Sequence, residues 1–208
     1  MRTLHSKLVL AALAIVALGA CSSKTSTSPA NGTIAVQLTD AAFSIDSVSR
    51  VDLWVLRIDG RLTDADSATS AKGAGEDSTV SGGWTTLARP NQSVNFLAYQ
   101  NGQTLAVGQT SIPAGSYLGF RIVIDPSKSS VTLKNGAVLT GVSTPNVSFP
   151  SGGTSGIKIK LSAPVVVNAN GTTTMIVDFD LANSFVLRGN SISQNGLLFK
   201  PVVKGSVK

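Results

Sequence analysis

The chain has 208 residues, 42% of them hydrophobic, with 17 Lys and Arg against 11 Asp and Glu, a formal charge of +6 and a pI near 9.7. Its one cysteine, Cys21, and its one histidine, His5, both fall within the first 21 residues. The rest of the chain therefore has no Ser-His-Asp or Cys-His catalysis, no histidine-ligated haem, no zinc site built on His or Cys, and no disulfide.

Arg2 and Lys7 make a basic start, and Leu8 to Ala20 form an uncharged apolar run of 13 residues. As a helix that run spans about 20 Å, short of the ~30 Å hydrocarbon layer, so a cleaved leader over residues 1–20 is expected rather than a membrane span. The run closes on Leu18-Gly19-Ala20-Cys21. This tetrad resembles the lipobox of bacterial lipoproteins. The resemblance implies recognition of Leu18, Gly19 and Ala20 by the lipoprotein signal peptidase, diacylglyceryl transfer to the Cys21 thiol, and acylation of the new N-terminus. Ser22, in place of Asp, resembles the outer-membrane-sorted class.

Residues 21–31 are polar or small and read as a flexible tether behind the lipidated cysteine. Without Arg2 and Lys7, 17 basic residues become 15, against 11 acidic, a formal +4. These are scattered in sequence rather than clustered, which reads as solvated surface charge and gives no nucleic-acid partner.

From Gly32 to Lys208 the hydrophobic period is close to 2, predicting one β domain. Ile34, Val36 and Leu38 alternate with polar or small residues, as do Leu118, Phe120, Ile122 and Ile124; Ile157, Ile159 and Leu161; and Met175, Val177 and Phe179. Val51 to Leu56 is apolar on both faces and predicts a central strand covered on each side. Asn101-Gly102, Asn135-Gly136, Asn170-Gly171 and Asn195-Gly196 supply turn residues with positive φ, and Pro113-Ala114-Gly115 fits a type I turn. Gln92 to Tyr99 allows a helical turn or two. Arg61 to Gly83, rich in Ser, Thr, Ala, Gly and Asp, reads as a long mobile loop. Short strands, frequent turns and little helix predict an all-β fold, a single antiparallel β-sandwich of immunoglobulin- or transthyretin-like Greek-key type.

Gly32-Thr-Ile-Ala-Val-Gln-Leu-Thr-Asp40-Ala, Ile112-Pro113-Ala114-Gly115-Ser116-Tyr117, Val177-Asp178-Phe179-Asp180, Ser184, and Leu198-Phe199-Lys200-Pro201-Val202 follow one another in that order. This succession resembles the bacterial lipoprotein domain catalogued as domain of unknown function four-three-eight-two. The resemblance implies an all-β extracytoplasmic domain behind a lipobox, and it assigns no catalytic residue. Family members often carry proline soon after the opening Asp, whereas Ala41-Ala42 follow here.

Several residues have a functional and a structural reading. Asp178 and Asp180, two apart on one strand, share a face and form a candidate for calcium or acid-base work; plain alternation accounts for them as solvent-facing. Asp64, Asp66, Glu76 and Asp77 are candidate loop calcium ligands, but Ala68 stands where an EF-hand needs its third ligand. Asp40 is expected in an Asx-turn. Trp54, Trp84, Tyr99 and Tyr117 are candidates for a sugar platform, with core packing the simpler expectation and Trp84 the most exposed. Lys158 with Lys160, and Lys200 with Lys204, are candidates for contact with anionic envelope glycans, against a simpler role guarding sheet edges. With no metal, cofactor or catalytic residue expected, the chain reads as a non-enzymatic lipoprotein of the cell envelope. Its partners are the membrane through Cys21 and a protein or glycan of the envelope. The alternative is a carbohydrate-binding module or a carboxylate-dependent glycan hydrolase.

Overall fold

The computed structural model describes residues 30–41, 47–62, 84–150 and 152–208. The expected leader, Cys21, the tether up to residue 29, and Asp64, Asp66, Glu76 and Asp77 lie outside the described residues. Two boundaries move. Asn31, assigned to the tether, opens the first strand and pairs with Pro113; Arg61 and Leu62, assigned to the loop, close the second strand against β-partners.

The described residues form fourteen strands and two single-turn helices. The strands are β1 (Asn31–Asp40), β2 (Val48–Leu62), β3 (Trp84–Ala88), β4 (Gln92–Asn95), β5 (Leu105–Pro113), β6 (Gly115–Leu133) and β7 (Val138–Thr140), then β8 (Val147–Ser148), β9 (Ile157–Leu161), β10 (Val165–Val167), β11 (Thr172–Phe179), β12 (Phe185–Leu187), β13 (Leu197–Phe199) and β14 (Val203–Val207). Helices α1 (Leu181–Ser184) and α2 (Ile192–Asn195) flank β12, and a 3-10 turn spans Phe96–Tyr99. The helical turn expected in Gln92 to Tyr99 is therefore half strand and half 3-10.

The all-β expectation holds. The arrangement differs from two separate antiparallel sheets. One hydrogen-bonded path runs β3-β2-β6-β9-β14-β11-β1-β5, with β4, β7 and β10 attached, and it curls into a nearly closed barrel-like sheet. Three of its details explain the curl. First, β9 divides its bonding: Ile157 to Ile159 pair with β6, and Lys160 and Leu161 pair with β14, so one short strand turns the corner. Second, the long pair β2 and β6 is broken by bulges, which increase local twist. Third, the free ends meet: a Cβ on Gly108 of β5 would lie 3.2 Å from the Cβ of Ala88 in β3. Near-closure leaves few strand edges to the solvent. Three pairings are parallel, β1 with β11, β14 with β9, and β13 with β8, against the wholly antiparallel expectation. Period-2 patterning places residues on faces but carries no strand direction.

The alternation nevertheless builds the core. Ile34, Val36 and Leu38 of β1 and Met175, Val177 and Phe179 of β11 are all fully buried, and the parallel register sets Val36 beside Met175. Each such side chain contributes about 1.5–3 kcal/mol by leaving water. Phe96, from the 3-10 turn, packs on Phe179 with ring centroids 4.3 Å apart. Phe149 and Phe185 pack on Phe199 beneath a small sheet, β12-β13-β8. Two phase slips depart from the pattern. Leu118, expected inside with Phe120, is 55% exposed, because the register jumps from Arg61–Gly119 to Leu62–Tyr117 and leaves it on a bulge. In β2, Val55 and Ile58 are both buried, three positions apart, with the ladder shifting between Val55 and Arg57.

Of the Asn-Gly turns, Asn135-Gly136 closes a hairpin between neighbours, β6 and β7. Asn170, at φ +59, joins β10 to β11, which bond to different strands, and Gly196, at φ +75, ends α2. The turns are where the sequence puts them, yet two of the four, at Asn101-Gly102 and Asn170-Gly171, link strands that are not partners.

Candidate functional site

Residues at cross-strand positions point to the same face, so the ladder registers decide which polar side chains meet on the outside of the barrel. On β2, Asp59 faces Thr86 of β3 and Arg121 of β6; Arg121 faces Lys158 of β9. One step along β9, Lys160 faces Lys204 of β14, and Lys204 faces Asp178 of β11. Arg57 and Arg61 flank Asp59 on β2. The result is an oblique outer strip across five strands carrying six basic residues and two acidic ones. Charges distant in sequence are gathered by the register.

One end of the strip is tightly built. Asp59 is 0% exposed. Its Oδ2 accepts from Arg57 Nε at 3.1 Å and Arg121 Nε at 2.8 Å, and its Oδ1 accepts from Thr86 Oγ1 at 3.1 Å. A buried carboxylate needs such compensation, and two guanidinium groups with a hydroxyl provide it. Arg121 also lies over the Trp84 ring, 4.5 Å from its centroid. The ring reaches across β2 toward β6, its Cη2 3.5 Å from where a Cβ on Gly119 would sit. Trp84, which the sequence suggested as the most exposed of the four aromatics, is half-buried, as are Trp54 and Tyr99, with its ring against Arg121 and over Gly119. Beside it, Arg61, Leu118, Gly119 and Lys158 line a groove of 290 Å³. A second hollow of 350 Å³ lies on the strip's other half, between Lys160, Ser162, Asp178, Lys204 and Ser206.

Lys204 is not an edge guard, because it is paired on both sides, with Lys160 of β9 and Asp178 of β11. Lys158 pairs only with β6 and Lys160 only with β14, so each keeps one unpaired side at the corner where β9 changes partners. Lys200 leaves this group altogether: it follows β13, its N–H donating to Ser184 O at 2.7 Å, and Pro201 separates it from β14.

The other candidates separate. β11 stops at Phe179, so Asp180 caps α1 rather than sharing the ladder with Asp178: its Oδ1 accepts from Asn183 N at 3.2 Å, and both its oxygens accept from Asn183 Nδ2. Asp178 faces Lys204, and its Oδ1 has no hydrogen-bond partner. Burial raises the Asp178 pKa, opposed by Lys204 and reinforced by Asp180. Among the described residues, no group of three or more His, Cys, Asp or Glu is placed to hold a metal ion.

The Asx-turn expected at Asp40 would use the Ala42 N–H, which lies outside the described residues. Asp40 is buried at the end of β1, where Oδ1 accepts from Leu181 N at 3.2 Å and Oδ2 from Gln100 Nε2 at 3.0 Å. It ties β1 to α1 and to the residue after the 3-10 turn. Desolvation pushes its pKa up to about 6, against the pull of those two hydrogen bonds. Thr39 reinforces the tie, its hydroxyl lying 2.9 Å from Tyr99 O and 2.8 Å from Gln103 O.

The remaining aromatics make no common platform. Tyr117 is fully buried, its hydroxyl donating to Pro113 O at 3.0 Å, and burial pushes its pKa up to about 12. Tyr99 is half-buried against the core. Trp54, expected inside, sits half-exposed on the outer face of β2, since Val51, Leu53 and Val55 take the inner positions. Its Nε1 donates to Asn91 Oδ1 at 3.1 Å, and Lys128 lies 4.6 Å over its ring.

Neither a curated protein nor a solved structure matches the chain. A family model does, over residues 31–201, which includes every strand from β1 to β13. The chain belongs to the family described as Domain of unknown function (DUF4382).

Proposed function

We propose that this protein is a lipid-anchored, non-catalytic component of the bacterial cell envelope whose β domain serves as a binding module. The observation that carries the reading is the succession of basic start, 13-residue apolar run and Leu18-Gly19-Ala20-Cys21 ahead of the domain. Acyl chains contribute about 0.8 kcal/mol per buried methylene, so one chain binds marginally while two or more on a single cysteine hold stably. Ser22 favours the outer membrane as destination. In architecture, we read the curled sheet as a sandwich joined at one seam, β5-β1-β11-β14 facing β3-β2-β6 across the core with β9 as the seam.

Two of the candidate carboxylates, Asp40 and Asp180, support a non-catalytic reading. Both oxygens of Asp40 are occupied by structural donors in a closed site, and Asp180 is occupied as a helix cap. A glycan hydrolase would need one carboxyl free to protonate a leaving group and a second at a fixed separation from it. The test is metabolic labelling with radioactive palmitate. The wild-type chain takes up label; Cys21→Ala takes up none and accumulates as unprocessed precursor. Label persisting in Cys21→Ala would refute the anchor.

A further inference from the structure

We infer that the outer strip over β2, β6, β9 and β14 binds an extended acidic glycan, with Trp84 as the stacking surface and Arg61, Lys158, Lys160 and Lys204 as the charge contacts. The inference rests on the binding-module reading above and names its ligand class.

Four observations carry it. First, among the described residues the strip has a surplus of positive charge that its own acids do not neutralise: Asp59 is consumed by Arg57 and Arg121, and Asp178 is the only described acid beside Lys160 and Lys204. Arg61, Lys158 and Lys160 have no ion pair among the described residues. Second, Lys204 is paired on both sides, by β9 and β11, so it protects no edge and its placement is not explained by the sheet. Third, the strip holds two hollows in succession, one with Lys158 and one with Lys160. These lysines are two apart on β9, roughly 7 Å along the strand, which suits a ligand with repeating negative groups better than one compact anion. Fourth, the Asp59 cluster prepositions the apparatus. Arg121 spends Nε on Asp59 and rests its plane on Trp84, so neither group loses much freedom when a ligand arrives.

The chemistry separates a glycan from other polyanions. A sugar ring offers a C–H face to an aromatic, while its carboxylates meet Arg and Lys. An anionic bilayer would be met by aromatics that project; Trp84 is half-buried against Arg121 and Gly119, and the hollows are concave. A bare polyphosphate would have no use for Trp84 or for Leu118 beside it.

The experiment is equilibrium binding of the full chain in detergent to oligogalacturonate, with a neutral oligosaccharide of equal length, polyphosphate and phosphatidylglycerol vesicles as separate arms. Detergent solution reads the surface whether or not Cys21 carries lipid, so this outcome is independent of the anchor test. The expected result is oligogalacturonate binding that weakens with added salt and is absent for the neutral chain. Arg61→Gln with Lys158→Gln should weaken it by about tenfold or more, Trp84→Phe by less, and Lys134→Gln, off the strip, not at all. Preference for polyphosphate or vesicles, wild-type affinity in the double variant, or no binding at low salt would each overturn the proposal.

Discussion

Asp40 carries a carboxyl group that is 3% exposed, and desolvation pushes its pKa up to about 6 from the ordinary aspartate value of 3.8. Between those two values the folded chain holds a proton that the unfolded chain has lost. Stability therefore falls as pH rises from about 4 to about 6 and is level on either side, the reverse of a salt-bridged aspartate. Asp40→Asn keeps an acceptor for Leu181 N and removes the titration. In urea unfolding it should flatten this part of the stability–pH curve and be the more stable form above pH 6, by on the order of 1 kcal/mol. An unchanged slope would mean that Asp40 titrates normally. Asp59 makes the opposite case: its charge is matched by Arg57 and Arg121, and removing it strands two guanidinium groups that are only 17% and 13% exposed. Asp59→Asn should cost about 3 kcal/mol, whereas Asp52→Asn, whose partner Arg50 is 53% exposed, should cost less than about 1 kcal/mol. Urea midpoints of the two variants check both figures.

At the scale of elements, the joint between α2 and the small sheet depends on one glycine. Gly196 has φ +75, and a Cβ there would lie 2.0 Å from Asn146 O, the same oxygen that accepts from Leu197 N to seat β13 beside β8. Gly136 has φ +86 in the β6–β7 hairpin but open space around it. Gly136→Ala therefore meets only the backbone penalty, while Gly196→Ala must also separate β13 from β8. The second should be more destabilising by about 2 kcal/mol in the same urea assay. Both glycines were legible as turns, since Asn-Gly demands positive φ, but the crowding at Gly196 was not, because Asn146 is fifty positions away. The same limit explains the strands. Alternation put Val36, Val177 and Phe179 inside without knowing their partners. It misplaced Leu118 because a bulge shifts the phase by one residue and leaves no mark in a run of apolar side chains. Trp54 was read as core because Val51 to Leu56 looked apolar on both faces, yet its neighbours fill the inner face and it stacks with Lys128 outside.

For the whole molecule, the sequence carried the class and the register carried the site. Lys158, Lys160 and Lys204 were visible as lysines on outer faces. That β9 lies between β6 and β14, and so joins them to Arg61 and Arg121 in one strip, follows only from pairings between strands far apart in the chain. Conversely, the carboxylate pair that spacing suggested at Asp178 and Asp180 dissolves, because the strand ends at Phe179 and Asp180 turns to cap α1. Among the described residues, the basic, grooved outer strip and the commitment of the buried Asp40 and Asp59 to holding strands and turns together support the proposed role of holding a ligand. The proposed reading places the domain at a membrane through Cys21, so the covalent state of Cys21 is the direct measurement. Mass spectrometry of protein taken from native membranes should find no peptide from residues 1–20, and should find the tryptic peptide Cys21 to Lys24 carrying a thioether-linked diacylglycerol and an acylated N-terminus. An unmodified Cys21, or any peptide that runs from residue 20 into it, would contradict the account.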